Sequence, residues 1–312
     1  MGKPGLKVTV IICCYTTERL KDIHEAVDSI MAQTLKPDEI IISVDHNEEL
    51  YQKLKTGLPS KVKVVLNRGI RGSAETRNTG IRSAEGDIVA FIDDDATAKE
   101  NWLEELIKPY NDDDVLVSGG HIISIWEKGR PLWFPEELDW IVGGTYKGYT
   151  ETQTQIRNVH WPNMSFRRRV CDKVGYVRTD IGAIGNVARS GDETELCMRI
   201  SHHISGARIA YCPEAIVYHK ALPSHSSLIA AIKRSFREGR YKSINNKDFA
   251  SLAKQPFSAE NSYLKYLLLK SIPQRIMGFY QKGRLFQAGT IIICIIATGT
   301  GYFVGFAGKA RE

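Results

Sequence analysis

An α/β fold built on a mostly parallel sheet, followed by a membrane-associated helical region, is predicted by three features of the sequence. Short apolar, β-branched runs at residues 7–13, 39–44, 62–66 and 87–92 alternate with stretches of helical periodicity, the pattern of a sheet covered on both faces. Two of those runs end on acidic residues, Asp45 and Asp93-Asp94-Asp95. Residues 288–308 carry no charge at all, and as a helix they would span roughly 31 Å, one bilayer core.

The elements follow in order. Residues 7–13 (KVTVIIC) read as a buried strand, and 18–33 as a helix whose apolar positions are Leu20, Ile23, Ala26, Val27 and Ile30. Strands are predicted at 39–44 (EIIISV), 62–66, 87–92 (DIVAFI) and 114–118, with helices over 73–83 and 99–109. Residues 119–160 hold Trp126, Trp133 and Trp140 among several glycines and read as a lid-like excursion. A helix opens at the acidic stretch 190–196 (SGDETEL), and a short strand at 215–218 precedes His219. The catalytic body is expected to end near residue 225. That divides the chain into a 1–225 domain, a basic helical region at 226–287 and the apolar helix at 288–308.

Charge supports this division. The chain of 312 residues has 42 Lys+Arg against 36 Asp+Glu, a net of +6. Residues 1–225 hold 28 basic and 32 acidic residues, whereas 226–287 hold 12 basic and 3 acidic. A nucleic-acid partner would need a basic patch on the body, and the body is net acidic. The cations lie instead beside the apolar tail, where they suit an anionic membrane surface. Residues 263–286 mix apolar side chains with Lys265, Lys270, Arg275, Lys282 and Arg284, a basic amphipathic helix broken near Pro273. More cations precede the tail than follow it, which places the body on the cytoplasmic side of the cell membrane. Ala297, Gly301 and Gly305 have small-xxx-small spacing, a signal for helix pairing and hence for a helix-mediated homodimer. None of the six cysteines forms a CxxC pair, so reduced cytosolic thiols are expected.

The chemistry-bearing residues are few. Three adjacent carboxylates repel one another unless a cation or hydrogen bonds compensate. Asp93 and Asp95 share a side of an extended chain, and their oxygens suit Mg2+ or Mn2+ together with substrate phosphates. Alternatively, Asp95 caps the next helix. The segment 67–73 (NRGIRGS) leads into a helix bearing Arg77 and Asn78, an arrangement that can hold phosphate through backbone N–H groups and a guanidinium. Residues 190–196 open a helix whose first-turn acids, among them Asp192 and Glu195, suit the dipole, while a carboxylate there can also serve as a base toward a hydroxyl. Glu195 and Arg199 form an i,i+4 pair.

Together these stretches resemble the family 2 inverting glycosyltransferases of GT-A fold. VTVIICCYTTERL is similar to the family's opening strand and turn, EIIISVDHN to its second strand, and RGSAETRNTGIRSAEGDIVAFIDDDA to the central stretch ending in a DXD-type motif. NMSFRRRV and GDETELCMRI resemble the acceptor-side strand and the base-bearing helix, and YCPEAIVYH the closing strand. The resemblance covers about residues 7–220 with the motifs in family order. It implies that Asp45 recognises the nucleobase, and that Arg77, Asn78, Asp93 and Asp94 lie against the nucleotide sugar. Asp95 would bind the metal, assisted by His219, and Glu193 would be the base. The family often has Glu-Asp where this chain has Asp192-Glu193, so the role is shared between two carboxylates. The likeness to the acceptor-side strand implies that Trp161 and Asn163 lie on the acceptor side, although His160-Trp161-Pro162 departs from the small residues usual before that strand. The basic helix and tail resemble archaeal membrane glycosyltransferases that extend dolichyl-phosphate-linked sugars.

The expected activity is metal-dependent hexosyl or uronosyl transfer from a nucleotide-diphosphate sugar to a hydroxyl of a lipid-linked saccharide. Three rivals remain. A polyprenyl-phosphate sugar synthase takes an already ionised acceptor and needs no base. A processive polysaccharide synthase would show more spans and a QxxRW-like motif. A non-catalytic nucleotide-sugar binder would lack the metal or base residues.

Overall fold

The computed structural model describes residues 5–148, 156–181, 191–222, 227–254 and 256–309. The chain divides into two compact units: Met1–Ile123 with Gln155–His219, and Ser124–Thr154 with Lys220–Glu312.

The first unit begins with alternating strands and helices: β1 (Val8–Cys14), α1 (Leu20–Met31), β2 (Glu39–Asp45), α2 (Glu48–Gly57), β3 (Val62–Asn67), α3 (Ser73–Ser83) and β4 (Ile88–Asp93). β1 and β4 bury their side chains on both faces, as parallel strands sandwiched between helices do. α1 turns Ile23, Ala26, Val27 and Ile30 onto the sheet, the i, i+3, i+4, i+7 spacing read from the sequence. All four are fully buried, at about 1.5–3 kcal/mol for each of the larger side chains. α2 starts at Asn47, whose side chain accepts a hydrogen bond from the Leu50 amide at 2.9 Å.

The remainder of this unit contains β5 (Ala96–Ala98), α4 (Trp102–Ile107), β6 (Val115–Ile125), β7 (Met164–Arg167), α5 (Val170–Val174), α6 (Asp192–His203) and β8 (Arg208–Lys220). The sheet order is β3-β2-β1-β4-β7-β6-β8-β5. β3, β2, β1 and β4 are mutually parallel, whereas β7 is antiparallel to both β4 and β6, and β5 to β8. The sheet is therefore mixed rather than mostly parallel. β7 has only four residues, too few to show a period, yet all four are buried. β6 runs on to Ile125 through Gly119 and Gly120, which from sequence alone look like the start of a loop. They are glycine because neighbours press in: a Cβ on Gly119 would lie 2.3 Å from the Val159 side chain, and one on Gly120 2.0 Å from the Ala215 carbonyl.

The second unit contains a 3-10 turn (Glu136–Val142), α7 (Leu228–Ile244), α8 (Asn246–Leu252), α9 (Ser258–Tyr266), α10 (Ile272–Met277) and α11 (Arg284–Lys309). The tryptophan-rich stretch read as a lid belongs to this unit. Phe134 and Ile141 lie in a buried cluster with Ala231, Leu267, Ile291 and Cys294, with Trp126, Trp133 and Trp140 packed against it. The chain is not broken at Pro273. A wide π turn, Leu267–Ser271, feeds directly into α10, and this local widening just before Pro273 accommodates the proline's missing N–H without a break. Arg275 and Glu137 form a buried bidentate pair at 2.8 and 2.5 Å, and the Ser271 hydroxyl donates to the same carboxylate at 2.9 Å. α7 and α11 run side by side in the same direction. A Cβ on Gly239 would meet the Thr298 carbonyl, one on Gly301 the Phe236 carbonyl, and one on Gly305 the Arg240 carbonyl. The small-residue spacing on the tail is thus occupied by α7 of the same chain.

Candidate active site

The carboxyl ends of the four parallel strands meet along one edge of the first unit's sheet, where open α/β sheets bind ligands. The registers Cys13↔Asp93 and Asp45↔Asn67 bring the ends of β1 and β4, and of β2 and β3, level.

Asp45, the last residue of β2, is half-buried and organises the turn after β3. It accepts hydrogen bonds from Asn67 Nδ2 at 2.9 Å and from the Gly72 amide at 3.1 Å. Gly72 has φ 142°, a conformation that suits glycine, and this turn delivers the chain into the N-terminus of α3.

The acidic run turns out of β4. Asp93 is half-buried, while Asp94 and Asp95 are buried. His219 sits opposite Ala96 in the β5–β8 ladder, and its Nε2 lies 3.2 Å from Asp95 and 3.7 Å from Asp93. Asp93, Asp95 and His219 each offer one ligand atom, all within 4.8 Å of one another. Two carboxylate oxygens and one imidazole nitrogen form a donor set that fits a divalent cation such as Mn2+. The Oδ2 atom of Asp94 is buried with no hydrogen-bond partner, a further sign of a site built for positive charge. Burial opposes a charge on His219, yet Asp93 and Asp95 push its pKa up to about 10. Burial acts to raise Asp95 as well, but His219 and Arg19 outweigh it and hold the carboxyl below its usual range. Asp94 is pushed up to about 7, chiefly by burial and against the pull of Arg19.

Arg19 was not singled out by motif. Its guanidinium reaches Asp94 at 2.6 Å and Asp95 at 3.1 Å from the turn after β1. Its position just past the carboxyl end of the first strand was the available signal.

A second group forms around α6. Gly191, with φ 106°, turns the chain into this helix, and Asp192 and Glu193 fill its first turn. Asp192 Oδ2 accepts from Arg77 at 2.9 Å and from the Trp161 indole N–H at 3.0 Å. The Arg77 guanidinium also lies over the Trp161 ring, 4.2 Å from its centroid, and Phe91 meets that ring edge-on at 5.1 Å. Glu193 is less enclosed and faces His160 Nδ1 at 3.7 Å. Burial pushes Asp192 up to about 7 despite Arg77. For Glu193 the upward effect of burial is overcome, first by the neighbouring His160 ring, and the carboxyl is held down to about 2. Glu195 is occupied by the bidentate i,i+4 pair with Arg199.

Two residues expected beside substrate are buried in scaffold contacts. Asn78 clasps the Val177 backbone, donating to its carbonyl at 2.8 Å and accepting from its amide at 3.0 Å. Asn163 accepts from the Trp102 indole at 2.8 Å and donates to the carbonyls of His121 and Ala215 at 3.0 and 2.8 Å. Its contacts knit α4, β6 and β8 together, and it has no exposed surface.

Comparison with known proteins fits this geometry. Residues 9–175 match the model of glycosyl transferase family 2. A glucosyl-dolichyl phosphate glucuronosyltransferase of Haloferax volcanii is 34% identical over 306 residues, covering 96% of both chains. The glycosyltransferase AglE of the same organism is 24% identical, over 75% of this chain and 72% of that one. Among solved structures, a mannosyltransferase from Pyrobaculum calidifontis in complex with GDP-Man and Mn2+ superposes with a TM-score of 0.58, at 17% identity, over 97% of this chain and 89% of that one. GalNAc-T7 with UDP, GalNAc and Mn2+ gives 0.56 at 15% identity, over 90% of this chain and 59% of that one. These likenesses support the GT-A architecture. The chain is a glycosyltransferase and belongs to family 2.

Proposed function

We propose that this enzyme transfers a uronosyl residue, with inversion, from a nucleotide-diphosphate sugar to a hydroxyl of a dolichyl-phosphate-linked sugar at a membrane surface. The observation that carries this reading is the 34% identity extending over 96% of both this chain and the glucosyl-dolichyl phosphate glucuronosyltransferase. The tail of the chain is thereby matched along with the family 2 region.

Each side chain then has a task. Asp45 has lone pairs left to accept N–H groups of a nucleobase after serving Asn67 and Gly72. Asp93 faces the ribose side, and Asp95 and His219 hold the cation, with Asp94 fixed against Arg19. A bound divalent cation supplies charge neutralisation at the departing diphosphate. Arg77 and Trp161 pin Asp192, which orients the first turn of α6 so that Glu193 accepts the acceptor's proton as the hydroxyl attacks. Anionic lipids on the cytoplasmic leaflet attract the cations of residues 226–287.

The test is transfer from UDP-glucuronic acid, UDP-glucose and GDP-mannose, each with Mn2+, Mg2+ or EDTA, to glucosyl-polyprenyl phosphate and to bare polyprenyl phosphate. Metal-dependent transfer of glucuronic acid to the glucosylated lipid is the expected result. Transfer to the bare phosphate alone would replace this reading with that of a polyprenyl-phosphate sugar synthase.

A further inference from the structure

The apolar helix α11 is long enough to cross a bilayer. Its partner argues against crossing. α7 lies along it in parallel, with Ala231, Ser235, Gly239 and Ser243 buried at four-residue spacing. On α11, Ile291, Cys294, Ala297, Gly301 and Gly305 are buried. The two backbones approach until no side chain fits between them at Gly239, Gly301 and Gly305. If α11 stood across the bilayer, α7 would be carried in alongside it.

α7 is poorly suited to that depth. Its 17 residues include Lys233, Arg234, Arg237, Arg240 and Lys242, and Lys233, Arg237 and Arg240 are exposed. Were α11 to enter the bilayer at Ala288, Gly301 would lie roughly 20 Å further along at 1.5 Å per residue. Arg240, which packs beside Gly301 and Gly305, would then sit past the middle of an apolar layer about 30 Å thick. Lys242 is held by Glu238 and by Glu260 of α9, at 3.2 and 2.6 Å, but α11 has no carboxylate to set against the exposed Lys233, Arg237 and Arg240. Desolvating such charges near the bilayer centre is the costliest placement for them.

The pair makes good sense lying flat. Ile292, Ile293, Ile296, Phe303, Val304 and Phe306 of α11 are exposed, and Ile293 and Ile296 line one groove with Lys233, Phe236 and Arg237 of α7. α7 supplies the charge that α11 lacks. Packed helices lie 8–10 Å apart and in-plane helices sink about 5–10 Å, so one helix at the acyl boundary puts the other at headgroup level. The exposed Phe279 and Tyr280, just before α11, are of the kind that sit at that boundary.

We infer that α7 and α11 form a two-helix in-plane anchor: α11 lies in one leaflet of an anionic bilayer, α7 lies over it among the phosphates, and the chain does not cross. This rests on the membrane association proposed above and decides its form. The end of α11 therefore stays on the same side of the membrane as the catalytic unit.

The test uses the full chain, extended past Glu312 by a hydrophilic epitope behind a protease site. It also carries Lys55→Cys, an exposed position on α2, as a reporter for the body. In sealed inside-out and right-side-out membrane vesicles, the reporter is labelled with an impermeant maleimide and the epitope is cleaved from outside. Labelling and cleavage in the same vesicle population is the expected result; cleavage in the opposite population overturns the in-plane anchor. Failure of the protein to sediment with membranes overturns the membrane association itself. The Lys233→Glu, Arg237→Glu double variant gives a second readout, flotation on phosphatidylcholine/phosphatidylglycerol vesicles. The in-plane anchor loses at least tenfold in bound fraction, whereas retention equal to the parent's would indicate a span and overturn the inference.

Discussion

Replacing Glu193 by glutamine is the sharpest test of the chemistry assigned to α6. The substitution keeps the side chain's size and its hydrogen-bonding reach toward His160 Nδ1, 3.7 Å away, while removing the capacity to take a proton. A general base contributes typically 10²–10⁴-fold to rate, and 1.36 kcal/mol corresponds to each factor of ten, so about 2.7–5.4 kcal/mol of barrier lowering is at stake. The loss should fall on kcat, with donor affinity close to the parent's, because Glu193 supplies neither of the hydrogen bonds that Asp192 accepts from Arg77 and Trp161. Asp192→Ala is the contrasting variant. It strips the acceptor from two buried donors, at about 1–3 kcal/mol each, and should lower stability as well as rate. Radiolabelled sugar transfer to the glycolipid gives kcat, donor titration gives affinity, and calorimetry gives stability. If Glu193→Gln keeps more than about a tenth of the parental kcat, while a stably folded Asp192→Asn loses turnover, the two carboxylates have been assigned the wrong way round.

Three further outcomes follow from the same geometry. Asp192 has its folded pKa raised from 3.8 to about 7, so between those values the folded state holds a proton that the unfolded state lacks. Its favourable contribution is therefore fully present below 3.8 and is lost as pH rises through 7. Asp192→Asn, a stand-in for the neutral acid, should gain stability on the parent progressively from about pH 4 to pH 7 and hold that gain at pH 8.5, as followed by melting temperature. Asn163→Ala orphans the Trp102 indole N–H and two carbonyls, each costing about 1–3 kcal/mol; the melting temperature should drop by more than about 5 °C with acceptor KM unchanged in the folded fraction. Gly239→Val forces a Cβ toward a point 1.9 Å from the Thr298 carbonyl and should destabilise the α7–α11 pair by about 1–3 kcal/mol or more, seen as early hydrogen exchange in both helices.

Local signals carried the parallel half of the sheet. Buried strands such as 88–93 and the amphipathic stripe of α1 announce themselves by composition and period, and acidic residues at their carboxyl ends then point to the site. The antiparallel half was hidden because its cues are contextual. β7 is too short for a period, and Gly119 and Gly120 resemble a turn until Val159 and Ala215 are seen pressing on them. The same holds at the site. The residues expected to gather around the metal, Asp93, Asp95 and His219, do come together, because two ladders bring their strands level. Arg19 escaped notice because a single arginine after a strand has no motif, and its meaning depends on where Asp94 and Asp95 turn. Asn78 and Asn163 illustrate the opposite difficulty: a polar residue beside a motif can be fully occupied by distant backbone that no spacing reveals.

The tail shows how a correct local reading can change its meaning once a partner is known. Twenty-one uncharged residues and a small-xxx-small repeat describe a helix able to cross a membrane and to pair closely with another. Neither property specifies the partner. In this chain the partner is α7, whose own repeat of Ala231, Ser235, Gly239 and Ser243 matches the groove on α11. Because α7 also carries the exposed Lys233, Arg237 and Arg240, close packing and bilayer crossing pull against each other: the tighter the two backbones fit, the deeper a crossing α11 would draw those charges. An in-plane pair resolves the conflict without discarding either signal. It also suits the chemistry, since a sugar hydroxyl on a phosphate-linked lipid lies at headgroup level, the depth at which a cationic helix would hold the enzyme.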